Sequence, residues 1–361
     1  MPQPSRRQAL TAAIASATVL ATPAIVTARR TETSRPDEVV TGQGAYQYKV
    51  NHTFCQLPDK YTWQTTHNVA VDSANNLYVI HEGRRDLKDH PAIFVFGPEG
   101  KFIRAFGCQF QGGGHGLEIR KEGKDEFLYV TGYQQVKAYA KLTLTGETVW
   151  HRKAPMESGI YAAGEDLSTE PNWTRQGFLP TNFAFLDDGE FLLADGYGTF
   201  CIHRFDKDAK WVSQFGGAGD GKGKFNTSHG LCIDRRAGRQ PSIAVTDRAH
   251  NTLQFFSMDG KYLETIEGFG WPANLETRDN LMLVPELHAR ISLLNEKNEV
   301  VSQLGAAVER MKATENLRGK PDQWKNGEFV HPHDACFDND GNIFVAEWVA
   351  TGRVTKLTRV K

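Results

Sequence analysis

Short apolar runs alternate with clusters of turn-forming polar residues along this chain, and one arrangement recurs six times. A polar entry leads into an apolar strand, an acidic or glycine-containing turn, a second apolar strand and a polar corner. The copies read "HNVAVDSANNLYVIHEGR" from His67, "HGLEIRKEGKDEFLYVTGY" from His115, "TNFAFLDDGEFLLADGY" from Thr181, "HGLCIDRRAGRQPSIAVTDR" from His229, "PANLETRDNLMLVPELH" from Pro272 and "HDACFDNDGNIFVAEW" from His333. Runs rich in Val, Ile, Leu and Phe around such turns are β-hairpins. Most copies continue into further strands and a Gly turn, as in "IFVFGPEGKFIRAFG" and "LQFFSMDGKYLETIEG", so each unit holds about four strands. Similarity at a period near ~45 residues, with hardly a helix, predicts an all-β fold: a six-bladed β-propeller with four antiparallel strands per blade. The last unit runs out of chain after "GRVTKLTRVK", and the strand-like "AYQYKVNHTF" ahead of the first unit is expected to supply the outer strand of blade six and close the ring. Longer insertions at 153–180 and 305–330 fall between blades.

Propeller geometry turns this register into a candidate site. The innermost strand of each blade runs along the central channel, and the second strand returns antiparallel, so its last residues reach the same rim as the first residues of the innermost strand. His115, His229 and His333 open blades two, four and six, roughly 120° apart in a six-bladed ring. Three imidazoles on rigid strands, with a remaining position open, form a catalytic zinc arrangement. His67 opens blade one, outside that threefold set, and is expected to play a structural or supporting role. The corners bring Glu82, Arg84, Arg85, Tyr133, Tyr197 and Arg248 to the same rim. A phenol titrates near pH ~10, and nearby positive charge favours phenolate, which makes Tyr197 a candidate general base.

Composition narrows the partners. The 361 residues are 40% hydrophobic and 24% charged, and 42 Lys and Arg against 43 Asp and Glu leave no positive excess for phosphates. Nucleic acid and anionic membrane surfaces are therefore not expected partners. At the N-terminus "PSRRQAL" precedes the uncharged "TAAIASATVLATPAIVTA", which reads as an export signal of twin-arginine type over 1–28, ending at Val26-Thr27-Ala28. Its Ala- and Thr-rich composition and Pro23 would span a bilayer poorly. A linker over 29–44 and a propeller over 45–361 complete the expected organisation: a bacterial, periplasmic or extracellular monomer, free of the membrane once the signal is removed. The cysteines, Cys55, Cys108, Cys201, Cys232 and Cys336, stand at long spacings without a C-x-x-C pair and are assigned no chemistry.

The chain resembles NHL-repeat six-bladed propellers, and specifically the peptidyl-α-hydroxyglycine α-amidating lyase family. "HGL" at 115, "FNTSHGL" ending at 231 and "HPHDA" at 331 are similar to that family's zinc-histidine segments; "DGY" at 195 and "TDRAHNTLQFF" at 246 are similar to its tyrosine and arginine segments. The resemblance implies zinc on His115, His229 and His333, with Tyr197 and Arg248 at the reacting group. It also implies a structural calcium on the Asp334 carboxylate and the backbone carbonyls of Val69 and Leu117, an oxygen set suited to a hard cation. The implied reaction is carbon–nitrogen lyase chemistry on a small-molecule or peptide α-hydroxy substrate, releasing an amide and glyoxylate. One departure concerns a further active-site arginine, which in the family directly follows a blade-one histidine. Here His81 is followed by Glu82, and Arg84 or Arg85 is the expected substitute. The alternative function is a non-catalytic propeller binding a protein, peptide or glycan around a structural metal. A calcium-dependent lactonase is disfavoured, since its metal set is built from carboxylates and amides.

Overall fold

The structure, a computed structural model, describes residues 38–360. The export signal and residues 29–37 of the expected linker lie outside the described residues. Blade one comprises Thr66–Val71, Leu77–His81, Ile93–Phe96 and Phe102–Phe106, and blade two Gly114–Glu122, Asp125–Gly132, Ala138–Thr143 and Thr148–Arg152. Blade three comprises Phe183–Phe185, Phe191–Ala194, Cys201–Phe205 and Trp211–Gly216. Blade four is built from Ser228–Asp234, Ser242–Asp247, Thr252–Phe256 and Tyr262–Glu267, and blade five from Glu276–Arg278, Leu281–Glu286, Arg290–Leu294 and Val300–Leu304. Every blade is an antiparallel sheet, so the protein is a six-bladed β-propeller.

Blade six joins the two ends of the described chain. Its inner strands Pro332–Phe337, Ile343–Glu347 and Arg353–Arg359 are followed by Tyr46–Asn51, which pairs Tyr48 with Arg359 and Asn51 with Lys356. That strand lies within "AYQYKVNHTF". The structure adds a fifth strand, Val40–Gln43, inside the stretch expected to be linker; it pairs with Tyr46–Asn51 through a tight turn. The segment "VTGQ" has neither the apolar content nor the alternation that marks a strand; the edge offered by its neighbour orders it, together with hydrogen bonds at the border with blade five, from Gln43 N–H to Ser302 Oγ and from Gly305 N–H to Thr41 Oγ1.

The core lies between blades. Ala184, Leu192 and Ile202 of blade three pack on Leu231, Ile243 and Val245 of blade four, and Leu283, Ile291 and Leu293 of blade five on Ala335, Ile343 and Val345 of blade six. Strands covered on both faces explain the near-continuous apolar runs in the second and third strands of each unit. Each fully buried Leu, Ile or Val contributes about 1.5–3 kcal/mol, so the ring is a rigid frame for what its channel holds. The insertions fold as connectors. One carries the Glu165 carboxylate that pairs with buried Lys137 at 2.6 Å; the other carries the short helix Val308–Ala313 and two 3-10 turns.

Candidate metal centre

The innermost strands break register where they reach the rim, and in four of the six blades the break falls at a histidine. The shifts lie between Thr66 and Asn68, Gly114 and Leu117, Ser228 and Leu231, and Pro332 and Asp334. A β-bulge inserts an extra residue and re-aims its side chain. Here the inserted segments carry His67, His115, His229 and His333, all 1–2% exposed. Blade five shows the same shift at Ala273, between the Pro272–Glu286 bridge and the Glu276–Leu283 pair, and in blade three Ala194 faces both Thr181 and Asn182, so the bulge belongs to the repeat and four blades place a histidine on it.

The imidazoles converge. Ring centroids are 4.8 Å apart for His115–His229, 4.8 Å for His229–His333 and 5.0 Å for His115–His333. His67 joins them, 4.7 Å from His115 and 4.5 Å from His333, and a nitrogen from each of His67, His115 and His333 falls within a 4.8 Å set.

Their orientation is fixed from behind. His115 Nδ1–H donates to the Thr181 carbonyl at 3.0 Å, His229 Nδ1–H to Ala273 at 2.5 Å and His333 Nδ1–H to His67 at 3.0 Å. Each even-numbered blade thus anchors its histidine on the backbone of the next odd-numbered one. A carbonyl only accepts, so all three rings carry the proton on Nδ1 and a lone pair on Nε2. Gly116 and Gly230 permit this approach, because a Cβ would lie 2.2 Å from the Thr181 oxygen or 2.3 Å from the Asn274 amide oxygen.

What faces the Nε2 atoms is too little for them. The Tyr197 hydroxyl lies 3.2 Å from His115 Nε2 and 2.8 Å from His229 Nε2, and accepts from Arg248 Nη1 at 3.0 Å. One hydroxyl hydrogen serves one lone pair. His333 Nε2 and His67 Nδ1 have no partner at all. Burial drives all three rings well below the usual histidine range, aided at His115 and His333 by neighbouring imidazoles and at His229 by Arg248. Neutral, buried nitrogen donors short of hydrogen are the state in which histidine ligates zinc, and the set fits that ion.

The other expected residues divide. Arg248 stacks its guanidinium 5.0 Å from the Tyr197 ring centroid. The phenol itself departs from expectation: burial pushes Tyr197 above its ordinary range, and the charge and hydrogen bond of Arg248 recover only part of that. Arg84 stands on the surface, 63% exposed and ion-paired with Asp86, and Arg85 pairs with Glu170; the structure brings neither onto the histidines. A different arginine reaches the rim. Arg318, from the insertion before blade six, donates to Thr65 Oγ1 at 3.2 Å and lies 3.6 Å from the ring of Trp348, the blade-six corner. Trp173, from the insertion before blade three, stands 6.0 Å from Tyr197 and half exposed. Neither belongs to the repeat, so register could not place them; an aromatic or basic residue inside an insertion at this rim was the available signal.

Below the histidines the channel holds acids. Asp334 accepts from the Val69 N–H at 2.8 Å and the Asn274 amide at 2.6 Å. Together with Glu118 and Glu276 these residues line a cavity of 160 Å³; Leu117 is buried beside Glu118 in the same strand. Burial raises Glu276 to about 8 and raises Asp334 and Glu118 as well, Glu118 further through the charges of its two acidic neighbours.

No family model and no curated protein matches the sequence. Among solved structures the chain is similar to a streptogramin B lyase, at 11% identity and TM-score 0.54 over 88% of this chain and 99% of that one. It is also similar to virginiamycin B lyase from Staphylococcus aureus, at 12% identity and TM-score 0.52 over 87% and 100%. A protein assigned as a gluconolactonase aligns at 12% identity and TM-score 0.53 over 87% and 94%. At these identities the likeness is one of fold alone: the chain is a six-bladed β-propeller.

Proposed function

We propose that the protein is an exported, zinc-dependent lyase that cleaves the C–N bond of an α-hydroxy amide of the peptidyl-α-hydroxyglycine type. The observation that carries this reading is the convergence of the Nε2 atoms of His115 and His229 on the Tyr197 hydroxyl, itself held by Arg248, beside the unpartnered Nε2 of His333. His115, His229 and His333 would hold the zinc, which as a Lewis acid makes a hydroxyl bound to it easier to deprotonate.

The chain's residues supply the rest. Tyr197 Oη is the hydroxyl placed to take a proton from a substrate hydroxyl lodged among the imidazoles. Loss of that proton to the Tyr197 phenolate drives the carbinol carbon to a carbonyl and breaks the C–N bond, and the same proton passes from Tyr197 to the departing nitrogen, which leaves as the neutral amide. Arg248 steadies the tyrosine oxygen as its charge changes, and its guanidinium, 5.9 Å from the Trp271 ring, also faces the half-exposed side of the rim, where a substrate carboxylate would lie. Burial holds the Tyr197 phenol above its ordinary range, and the charge and hydrogen bond of Arg248 oppose that shift. Asp334, with the Val69 and Leu117 carbonyls, is proposed to hold calcium, supported by the acids Glu118 and Glu276 beside it.

The test is glyoxylate release from an N-acyl α-hydroxyglycine by zinc-loaded protein. Tyr197→Phe should retain the metal and lose about 10²- to 10⁴-fold in turnover, the usual cost of removing a positioned acid or base. Zinc-loaded wild type that is inert on this and related α-hydroxy amides would move the assignment to a binding propeller around a structural metal.

A further inference from the structure

Four histidine rings converge in the channel, where the threefold spacing pointed to three. We propose that His67 is a fourth nitrogen ligand of the metal, oriented by Glu82; the proposal rests on the metal reading above and adds a ligand to it. His67 sits on the same kind of bulge as the other three, and its ring lies 4.7 Å from that of His115 and 4.5 Å from that of His333. A bulge is a departure from regular pairing retained where a side chain must be re-aimed.

The hydrogen bonds on His67 are those of a ligand. Its Nε2 lies 3.3 Å from Glu82 Oε2, and a carboxylate fixes the proton on that nitrogen. The remaining Nδ1 is then a lone pair, buried and without a partner, on a ring 4.5 Å from that of His333, whose Nε2 is equally unpartnered. Metal-bound histidines characteristically donate their outer N–H to a carboxylate or a backbone carbonyl. Three of the four here use a carbonyl and His67 uses Glu82. Glu82 is in turn fixed by the Gln134 amide, which also donates to the Tyr133 hydroxyl at 2.8 Å. The partner of His67 is a side chain with 22% exposure, whereas the others are held by backbone. His67 is therefore the most movable donor of the four. Four imidazoles fill a tetrahedral ion, so a substrate oxygen enters by expanding the coordination or by taking the place of His67.

The experiment loads the wild-type protein with Co(II) and counts imidazoles by X-ray absorption, with the visible spectrum as a second readout. Four imidazoles are expected in wild type and three in His67→Ala, with a changed visible spectrum. Glu82→Gln, which keeps His67 but weakens its orientation, should reduce Co(II) affinity by about 10- to 100-fold in competition with a chelator. Three imidazoles in wild type, or a His67→Ala spectrum indistinguishable from wild type, would overturn the fourth ligand and leave the three-histidine site standing. A wild type that takes up neither Co(II) nor zinc would overturn both. The wild-type count decides the matter even if His67→Ala fails to fold.

Discussion

A single hydroxyl between two imidazoles and a guanidinium sets what individual residues can be asked to do. Arg248 donates one N–H to Tyr197 and stacks on its ring, two demands that a lysine meets only as a point charge. Arg248→Lys is expected to lower kcat/KM on an α-hydroxy amide by about 10- to 100-fold, in line with loss of a charged hydrogen bond worth about 1.5–3 kcal/mol, while metal content measured by elemental analysis stays unchanged. A second residue-level effect lies far from the site. His52 donates from Nδ1 to Thr355 Oγ1 and accepts on Nε2 from the Gly327 N–H. Burial, with the charge of Arg353, lowers its pKa to about 4. The unfolded chain binds this proton below pH ~6.5 and the folded protein only below about 4. The stability it contributes is complete above pH ~6.5 and is lost as pH falls toward 4, up to about 3 kcal/mol. Urea titrations at pH 7 and pH 4.5 should show that loss, and His52→Gln should show less of it.

At the scale of the strand, the site is made by bulges and by glycines that let one blade touch the next. A Cβ at Gly116 meets the carbonyl that anchors His115, so Gly116→Ala must push blade two from blade three or free the imidazole. The expected cost is about 1–3 kcal/mol, as for other overpacked sites, with weakened zinc retention. A thermal melt alongside a chelator competition would separate the two effects. This is also where legibility ended. Alternation revealed the hairpins and their order because side-chain burial has a period of two residues, and that order placed His115, His229 and His333 at equivalent positions. A bulge is an event of hydrogen-bond register and leaves no mark on that alternation. His67 opens its blade at the matching position in "HNVAV", so its place at the rim was legible, while threefold symmetry argued for setting its role apart from the trio. Arg84 failed for a related reason: sequence proximity to the corner brought it near the rim, but a neighbouring Asp86 holds it in solvent. Arg318 and Trp173 come from segments with no repeat against which to register them.

For the molecule as a whole, the proposed metal would be coupled to the folding of the ring. An ion bound only by the folded ring stabilises it by about 2.7 kcal/mol at 100 times its Kd, so stripping zinc with a chelator should lower Tm by a few degrees and its return should restore it. Calorimetry of stripped and reloaded protein checks this, and a melt indifferent to zinc would argue against a site on the folded channel. Blade six unites Tyr46–Asn51 with strands that end at Arg359. The histidines of the cluster are spread from residue 67 to residue 333. A chain still short of its final unit already possesses His67, His115 and His229 yet has neither His333 nor a mate for its own beginning. Completing the circle and completing the donor set both await blade six, so retention of the proposed zinc would report closed rings: a molecule short of blade six would compete for the ion with an incomplete hand.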